Sequence, residues 1–117
     1  MREIKFRAWE TFNGKLKMKY NVTIYPGGKT GYAETVAVMQ FTGLKDKNGK
    51  EIYEGDIYKT KNGVTGEEMK LIVRYNHTSF SLVRNGSSSM NPKNLASKHN
   101  IENGEVIGNI YENKELL

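Results

Sequence analysis

The chain has 117 residues, with 18 Lys or Arg against 13 Asp or Glu, so its formal net charge is +5. This length fits one domain of the common size of about 100–150 residues, and we expect a single domain over residues 1–117. The absence of cysteine excludes disulfides, thiolate metal sites and a cysteine nucleophile. No apolar run approaches the roughly 18 residues that span a bilayer, and the N-terminus lacks the apolar region of a signal peptide. We therefore expect a cytoplasmic protein with no membrane partner.

Apolar and polar residues alternate near the N-terminus and predict a β-hairpin. Residues 4–9 and 15–20 both repeat with a period of two, and an Asn-Gly pair lies between them. A two-residue Asn-Gly loop would place apolar and charged residues on the same face. A three-residue loop over 12–14 instead sets Phe6 opposite Tyr20 and separates the faces, so we predict that register.

The rest of the chain is typical of short strands separated by turns. We predict strands over residues 38–42, 52–53, 57–58, 71–75, 78–83 and 106–111. In the second hairpin, a two-residue loop, Asn76-His77, pairs Val73 with Phe80. Gly108 inside the last strand predicts a bulge or a close approach of another backbone. Residues 33–38 fit either a helical turn or a strand, and residues 92–100 fit a single helical turn.

These elements predict a mainly β fold of the β-rich α+β class. We expect a small SH3-like or barrel-type sheet with an N-terminal β-hairpin and little helix. Gly55-Asp56-Ile57 resembles the corner of small SH3-like barrels, where the aspartate accepts from nearby backbone amides. The expected core consists of Phe6, Tyr20, Phe41, Leu71, Val73, Phe80 and Leu82, with Ile107 and Ile110 if a bulge at Gly108 keeps both side chains inward.

Three stretches resemble the YopX family of phage and prophage proteins. They are MREIKFRAW (residues 1–9), MQFTGLKDKNGKEIYEGDI (39–57) and VIGNIYEN (106–113) with the terminal ELL. They follow the family's order and reach both ends of the chain. Glu10 and Lys114 depart from the family's usual Asp and Pro, and both lie at a turn or in the tail.

The resemblance implies a virus-encoded accessory protein that acts in the cytoplasm of a bacterial host. The family is uncharacterised biochemically, so the resemblance supplies no catalytic residues, cofactors or partners.

Catalytic and metal-binding patterns are weak in this sequence. The two histidines, His77 and His99, fall in a predicted turn and a polar loop. The carboxylates near Glu51 and Glu67 fit solvated turns better than a general acid and base pair. The segment GGKT at residues 27–30 lacks the first glycine and the following helix of a phosphate-binding loop. We expect no catalytic residues, no metal, no cofactor and no enzymatic activity.

Basic and aromatic residues interleave in the first hairpin, and this is the pattern with a clear mechanism. In the predicted register, four of its residues that suit nucleic-acid binding share the outer face with Lys5 and Lys15. These four are Arg7, Trp9, Lys17 and Lys19. The cations would contact phosphates and the indole would stack on an unpaired base.

Two other interpretations stay open. Alternating lysines also occur on solvated sheets, where they discourage edge pairing. The strand edges and Trp9 would also suit a protein-interaction or self-assembling factor that engages host or phage proteins, including copies of itself. The sequence favours a small basic nucleic-acid-binding module, with the protein-interaction factor as the alternative.

Overall fold

The computed structural model describes residues 3–31, 33–76, 79–84 and 93–117. Nine strands lie in these residues: β1 Phe6–Phe12, β2 Lys15–Tyr20, β3 Glu34–Lys45, β4 Glu51–Tyr53, β5 Asp56–Lys61, β6 Glu68–Asn76, β7 Ser79–Val83, β8 Lys93–Asn94 and β9 Glu105–Asn109. Helix α1 spans Lys98–Asn103, and a 3-10 turn spans Lys114–Leu116.

The strands form two antiparallel sheets with a curled half-barrel, in the orders β2-β1-β3-β4 and β8-β7-β6-β5-β9. This confirms the mainly β, barrel-type fold with an N-terminal hairpin and little helix. The chain has two compact units, Met1–Phe41 and Thr42–Leu117, and β3 runs from the first into the second. The single domain expected over residues 1–117 stays a prediction.

The predicted register of the first hairpin is wrong by one residue. Tyr20 pairs with Arg7 instead of Phe6, and Lys15 pairs with Phe12, so the loop has two residues. Asn13 and Gly14 have φ angles of 52° and 75°, which are the positive values that a type I′ turn requires. Hydrophobic patterning sets a register where one face is buried. No residue of β2 is fully buried, so the turn decides the register here.

The one-residue shift changes which side chains are buried in the first unit. Phe41 is buried as predicted. Phe6 is half-buried and Tyr20 is 50% exposed, so the prediction that these two residues belong to the core was wrong. The central strand β1 instead buries Arg7 and Glu10 as well as Ala8, since β2 and β3 pair with it on either side.

The core of the second unit lies on the five-stranded sheet. Its buried members include all four residues predicted from β6 and β7: Leu71, Val73, Phe80 and Leu82. The pairing differs by two residues from the predicted one, since Val73 lies opposite Leu82 and Tyr75 opposite Phe80. A shift by two keeps every side chain on its face. The predicted loop residue His77 lies outside the described residues.

The corner between β4 and β5 has the predicted construction. Asp56 is buried, and its carboxylate accepts from the Tyr53 amide at 2.7 Å. Gly55 adopts a φ of 88°, which favours glycine. The carboxylate therefore closes the tight turn between the two short strands.

The predicted bulge in the last strand is present. Gly108 lies opposite Ile57 and Val106 opposite Tyr58, so Ile107 is the extra residue. The strand ends at Asn109 rather than at residue 111, because the Asn109 side chain accepts from two following amides and starts a turn. Ile107 and Ile110 are half-buried, which corrects their placement in the core.

The two segments with uncertain sequence patterns are now defined. Residues 34–38 belong to β3, and the helical turn expected near residue 100 is α1, whose first turn is capped by Ser97. Tyr58 packs against this helix and donates to the Asn100 carbonyl at 2.8 Å. Burial, with a smaller contribution from the Asp46 charge, raises the pKa of Tyr58 to about 12.

Candidate nucleic-acid interface

Strand β2 is the outer strand of its sheet and is exposed on both faces. Side chains alternate between faces along a strand, so Lys15, Lys17 and Lys19 share one face. Leu16, Met18 and Tyr20 share the other. The strand therefore presents a basic side and an apolar, aromatic side.

We call Phe12, Lys15, Lys17 and Lys19 the lysine face. The lysines recur every second residue, which corresponds to a step of about 6.7 Å along a strand. All three are exposed, and none forms an ion pair with a described residue. Phe12 lies opposite Lys15 and is 56% exposed. Three cations in a row and an accessible ring thus meet on one surface.

A carboxylate also belongs to this side of the hairpin, but it is turned into the protein. Glu10 lies opposite Lys17 and is 2% exposed. The Thr30 hydroxyl donates to its carboxylate, and the Thr30 and Thr35 hydroxyls are 2.9 Å apart. Glu10 therefore lowers the positive potential of the lysine face without occupying its surface.

The four residues predicted to form one surface are divided between two faces. Lys17 and Lys19 are exposed on the lysine face, whereas Arg7 and Trp9 lie on the opposite one. Arg7 is buried, with its guanidinium 5.9 Å from the centre of the Tyr20 ring, and Trp9 is half-buried opposite Met18. Their placement on one outer face was wrong, because it depended on the register that the two-residue turn overrides.

Phe12 is the aromatic residue that the sequence reasoning missed. The three-residue loop placed it in the turn, where it has no strand neighbours. The Asn-Gly pair was the signal that could have found it, since a two-residue loop makes Phe12 the last strand residue and sets it opposite Lys15.

The glycine-rich segment borders an open cleft of about 370 Å³ in the first unit, lined by Gly27, Gly28, Lys29, Gly31, Ala33, Glu34 and Thr35. The chain continues into strand β3 and not into a helix, which agrees with the rejection of a phosphate-binding loop. Lys29 and Glu34 contribute opposite charges, so the lining does not favour an anion.

Other candidate groups have structural roles. Both ring nitrogens of His99 have protein neighbours: the Lys61 carbonyl at 2.7 Å and the Asn103 amide at 3.3 Å. Among the described residues, no group of three or more His, Asp or Glu side chains is placed to hold a metal. No helix in that part of the chain is long and apolar enough to cross a membrane.

These features define a small, mainly β protein with an exposed basic hairpin strand. The family model described as YopX protein matches residues 17–117, and the chain belongs to the YopX family. The first resembling stretch, residues 1–9, lies outside this match. A search of curated proteins finds no match.

A solved structure is similar over the full chain. The crystal structure of protein EF1440 from Enterococcus faecalis is 29% identical and has a TM-score of 0.65. The similarity covers 100% of this chain and 99% of that one. The likeness thus extends to the N-terminal hairpin that the family match does not fully include.

Proposed function

We propose that the protein is a non-catalytic nucleic-acid-binding module that contacts phosphates through the lysine face. The observation that carries the proposal is the row of three exposed lysines without described ion-pair partners on an outer strand. The formal charge of +5 and the pI near 9.4 support it, since basic domains of this kind attract polyanions. The family resemblance supports a setting as a phage or prophage accessory protein in the cytoplasm of a bacterial host.

Binding of this kind has a measurable salt dependence. Each phosphate contact releases counterions, so the logarithm of the binding constant falls linearly with the logarithm of the salt concentration. Three lysine contacts predict a slope of about −2 for a single strand and about −3 for a duplex.

Replacing Lys17 with glutamine is expected to weaken binding at low salt and to flatten the slope by about 0.7 to 0.9. The side chain is exposed, so the free energy of unfolding should change by no more than about 0.5 kcal/mol. Fluorescence anisotropy with labelled oligonucleotides over a salt series measures the slope, and thermal denaturation checks the fold.

Lys70→Gln is the matched control, because Lys70 is an exposed strand lysine of the second unit. It removes the same charge from another surface, and we expect it to leave most of the affinity and the slope unchanged. Equal effects of the two substitutions would show a response to net charge and contradict a defined site on β2.

The alternative function, a protein-interaction or self-assembling factor, is favoured by the opposite face of β2. Leu16 is 56% exposed and Tyr20 is 50% exposed there. Among the described strands β2 pairs with β1 alone, so its outer edge is open to another strand. If copies associate through this face, light scattering should show a mass above 13.3 kDa that rises with concentration.

Leu16→Lys should then return the protein to a monomer. Val64→Lys, on a loop of the second unit where Val64 is 95% exposed, should not. A monomer at every concentration would reject self-assembly through β2.

A further inference from the structure

We infer that the nucleic acid bound by the lysine face is single-stranded, with its phosphates along β2 and one of its bases stacked on Phe12. This inference rests on the proposed function and specifies its ligand class. It follows from the distribution of charge on the two strands, from the pairing of β1, and from the exposure of Phe12.

The lysine face offers cations along one line. Strand β2 contributes the three lysines, whereas β1 contributes Ala8, Glu10 and Phe12 to the same side of the sheet. Neighbouring strands lie about 4.8 Å apart, and on this side β1 offers, besides Phe12, only the buried Ala8 and Glu10, and no cation, to a second phosphate chain. One row of cations matches one phosphate backbone.

Insertion of the hairpin into a duplex groove is sterically disfavoured. The major groove is about 12 Å wide and admits a helix or a two-stranded ribbon. Here the other edge of β1 is paired with β3 along almost its whole length, from Phe6 to Thr11. The hairpin is part of a wider sheet, so its lysines can approach a backbone from the side but cannot enter the groove as a ribbon.

Phe12 lies where a base would fall. It is cross-strand from Lys15, at a Cβ separation of about 5 Å for such pairs. Phe12 is 56% exposed, and the register places it on the side that carries the lysines. A base whose phosphate contacts Lys15 could therefore reach the ring, and such stacking is available to unpaired bases.

The test measures the binding of three probes at one low salt concentration: an oligothymidylate, an abasic oligonucleotide of equal length, and a duplex of that length. Phe12→Leu keeps an apolar side chain but removes the ring. We expect it to weaken the oligothymidylate about 5- to 150-fold and to leave the abasic strand unchanged. Lys17→Gln should weaken both strands, since it removes a phosphate contact.

Tyr20→Leu is the matched control, because it removes an exposed ring from the other face of the same hairpin. It should leave the oligothymidylate affinity unchanged. Phe12→Trp retains a stacking surface and should bind at least as tightly as the parent, which separates loss of the ring from loss of the fold.

The failures of the two proposals differ. If no probe binds at low salt, both the proposed function and this inference are rejected. If the duplex binds as tightly as the oligothymidylate and Phe12→Leu changes nothing, nucleic-acid binding stands and the single-strand inference is overturned. An equal loss on the abasic strand would also overturn it, since the ring would then act without a base.

Discussion

Replacing Gly104 with alanine is expected to lower the free energy of unfolding by about 3 kcal/mol, the upper end of the usual overpacking range. Gly104 follows helix α1 with an extended backbone, so φ is not the obstacle. The added Cβ would overlap Cε2 and Cζ of Tyr58 and lie 2.5 Å from the Asn100 carbonyl oxygen. For a chain of this length, a loss of that size corresponds to a decrease in Tm of about 12 °C.

The surrounding groups have little freedom to move away. The Tyr58 side chain is fully buried, and its hydroxyl donates to the same Asn100 carbonyl that the new methyl group would approach. The Gly104 carbonyl accepts from the Lys47 amide at 3.1 Å, which holds its backbone in place. A shift of the Tyr58 ring would break its hydrogen bond to the Asn100 carbonyl. A shift of the Gly104 backbone would break the hydrogen bond from the Lys47 amide.

Gly63→Ala is the matched control. A Cβ at Gly63 meets the His99 ring at 3.8 Å, which is ordinary contact, so stability should change by no more than about 0.5 kcal/mol. Thermal or urea denaturation compares the two variants. In a Tyr58→Ala background the cost of Gly104→Ala should fall, because the ring that it overlaps has gone. Equal effects of the two glycine substitutions would contradict the steric argument.

The two hairpins show which part of the fold the sequence could predict. In the second hairpin the predicted pairing was two residues away from the observed one. Every side chain still lies on its predicted face, because the side-chain period of a strand is two. In the first hairpin, a shift of one residue changed which side chains of β1 share a face with the lysines of β2. Burial constrained β6 and β7 to the correct faces, whereas β2 has no buried face to constrain it.

The same difference explains the outcome for the candidate site. The lysines of β2 were predicted to be exposed, and they are, because either register leaves them in solvent. The partners expected for Lys17 and Lys19 on β1, Arg7 and Trp9, depended on the register and lie on the opposite face. The burial of Arg7 and Glu10 also escaped prediction, since it requires knowing that β3 pairs with β1.

Long-range hydrogen bonds are a second feature that a local pattern cannot show. The composition of the segment Asp46-Lys47-Asn48-Gly49 is typical of a turn, and the segment forms one. The pattern contains no sign that the Asp46 carboxylate also contacts a residue 60 positions further along the chain. That contact joins the turn to strand β9.

Replacing Asp46 with alanine is the second substitution expected to have a large effect, with a loss of about 3 kcal/mol. Asp46 is 6% exposed, and its carboxylate accepts from three backbone amides. Oδ1 accepts from Asn48 and Lys50, and Oδ2 accepts from Val106, each at 2.9 Å. Hydrogen bonds to a charged group contribute about 1.5–3 kcal/mol each. Asn48 and Lys50 are exposed, so water can replace the hydrogen bonds that their amides lose. Val106 is half-buried, so water replaces its hydrogen bond less readily.

Two further variants separate the turn from the long-range contact. Asp46→Asn can keep an oxygen for Asn48 and Lys50, but its NH₂ group would then face the Val106 amide, donor against donor. We expect Asp46→Asn to lose roughly half of the stability that Asp46→Ala loses, since the turn remains and the hydrogen bond to β9 does not.

Asn62→Ala removes a similar local turn, in which the side chain accepts from Val64 and Thr65 on an exposed loop. Without a third, distant amide its cost should stay below about 1 kcal/mol. Urea denaturation ranks the three variants. If Asp46→Ala were no more costly than Asn62→Ala, the bond to Val106 would contribute nothing to stability and the turn alone would account for the aspartate.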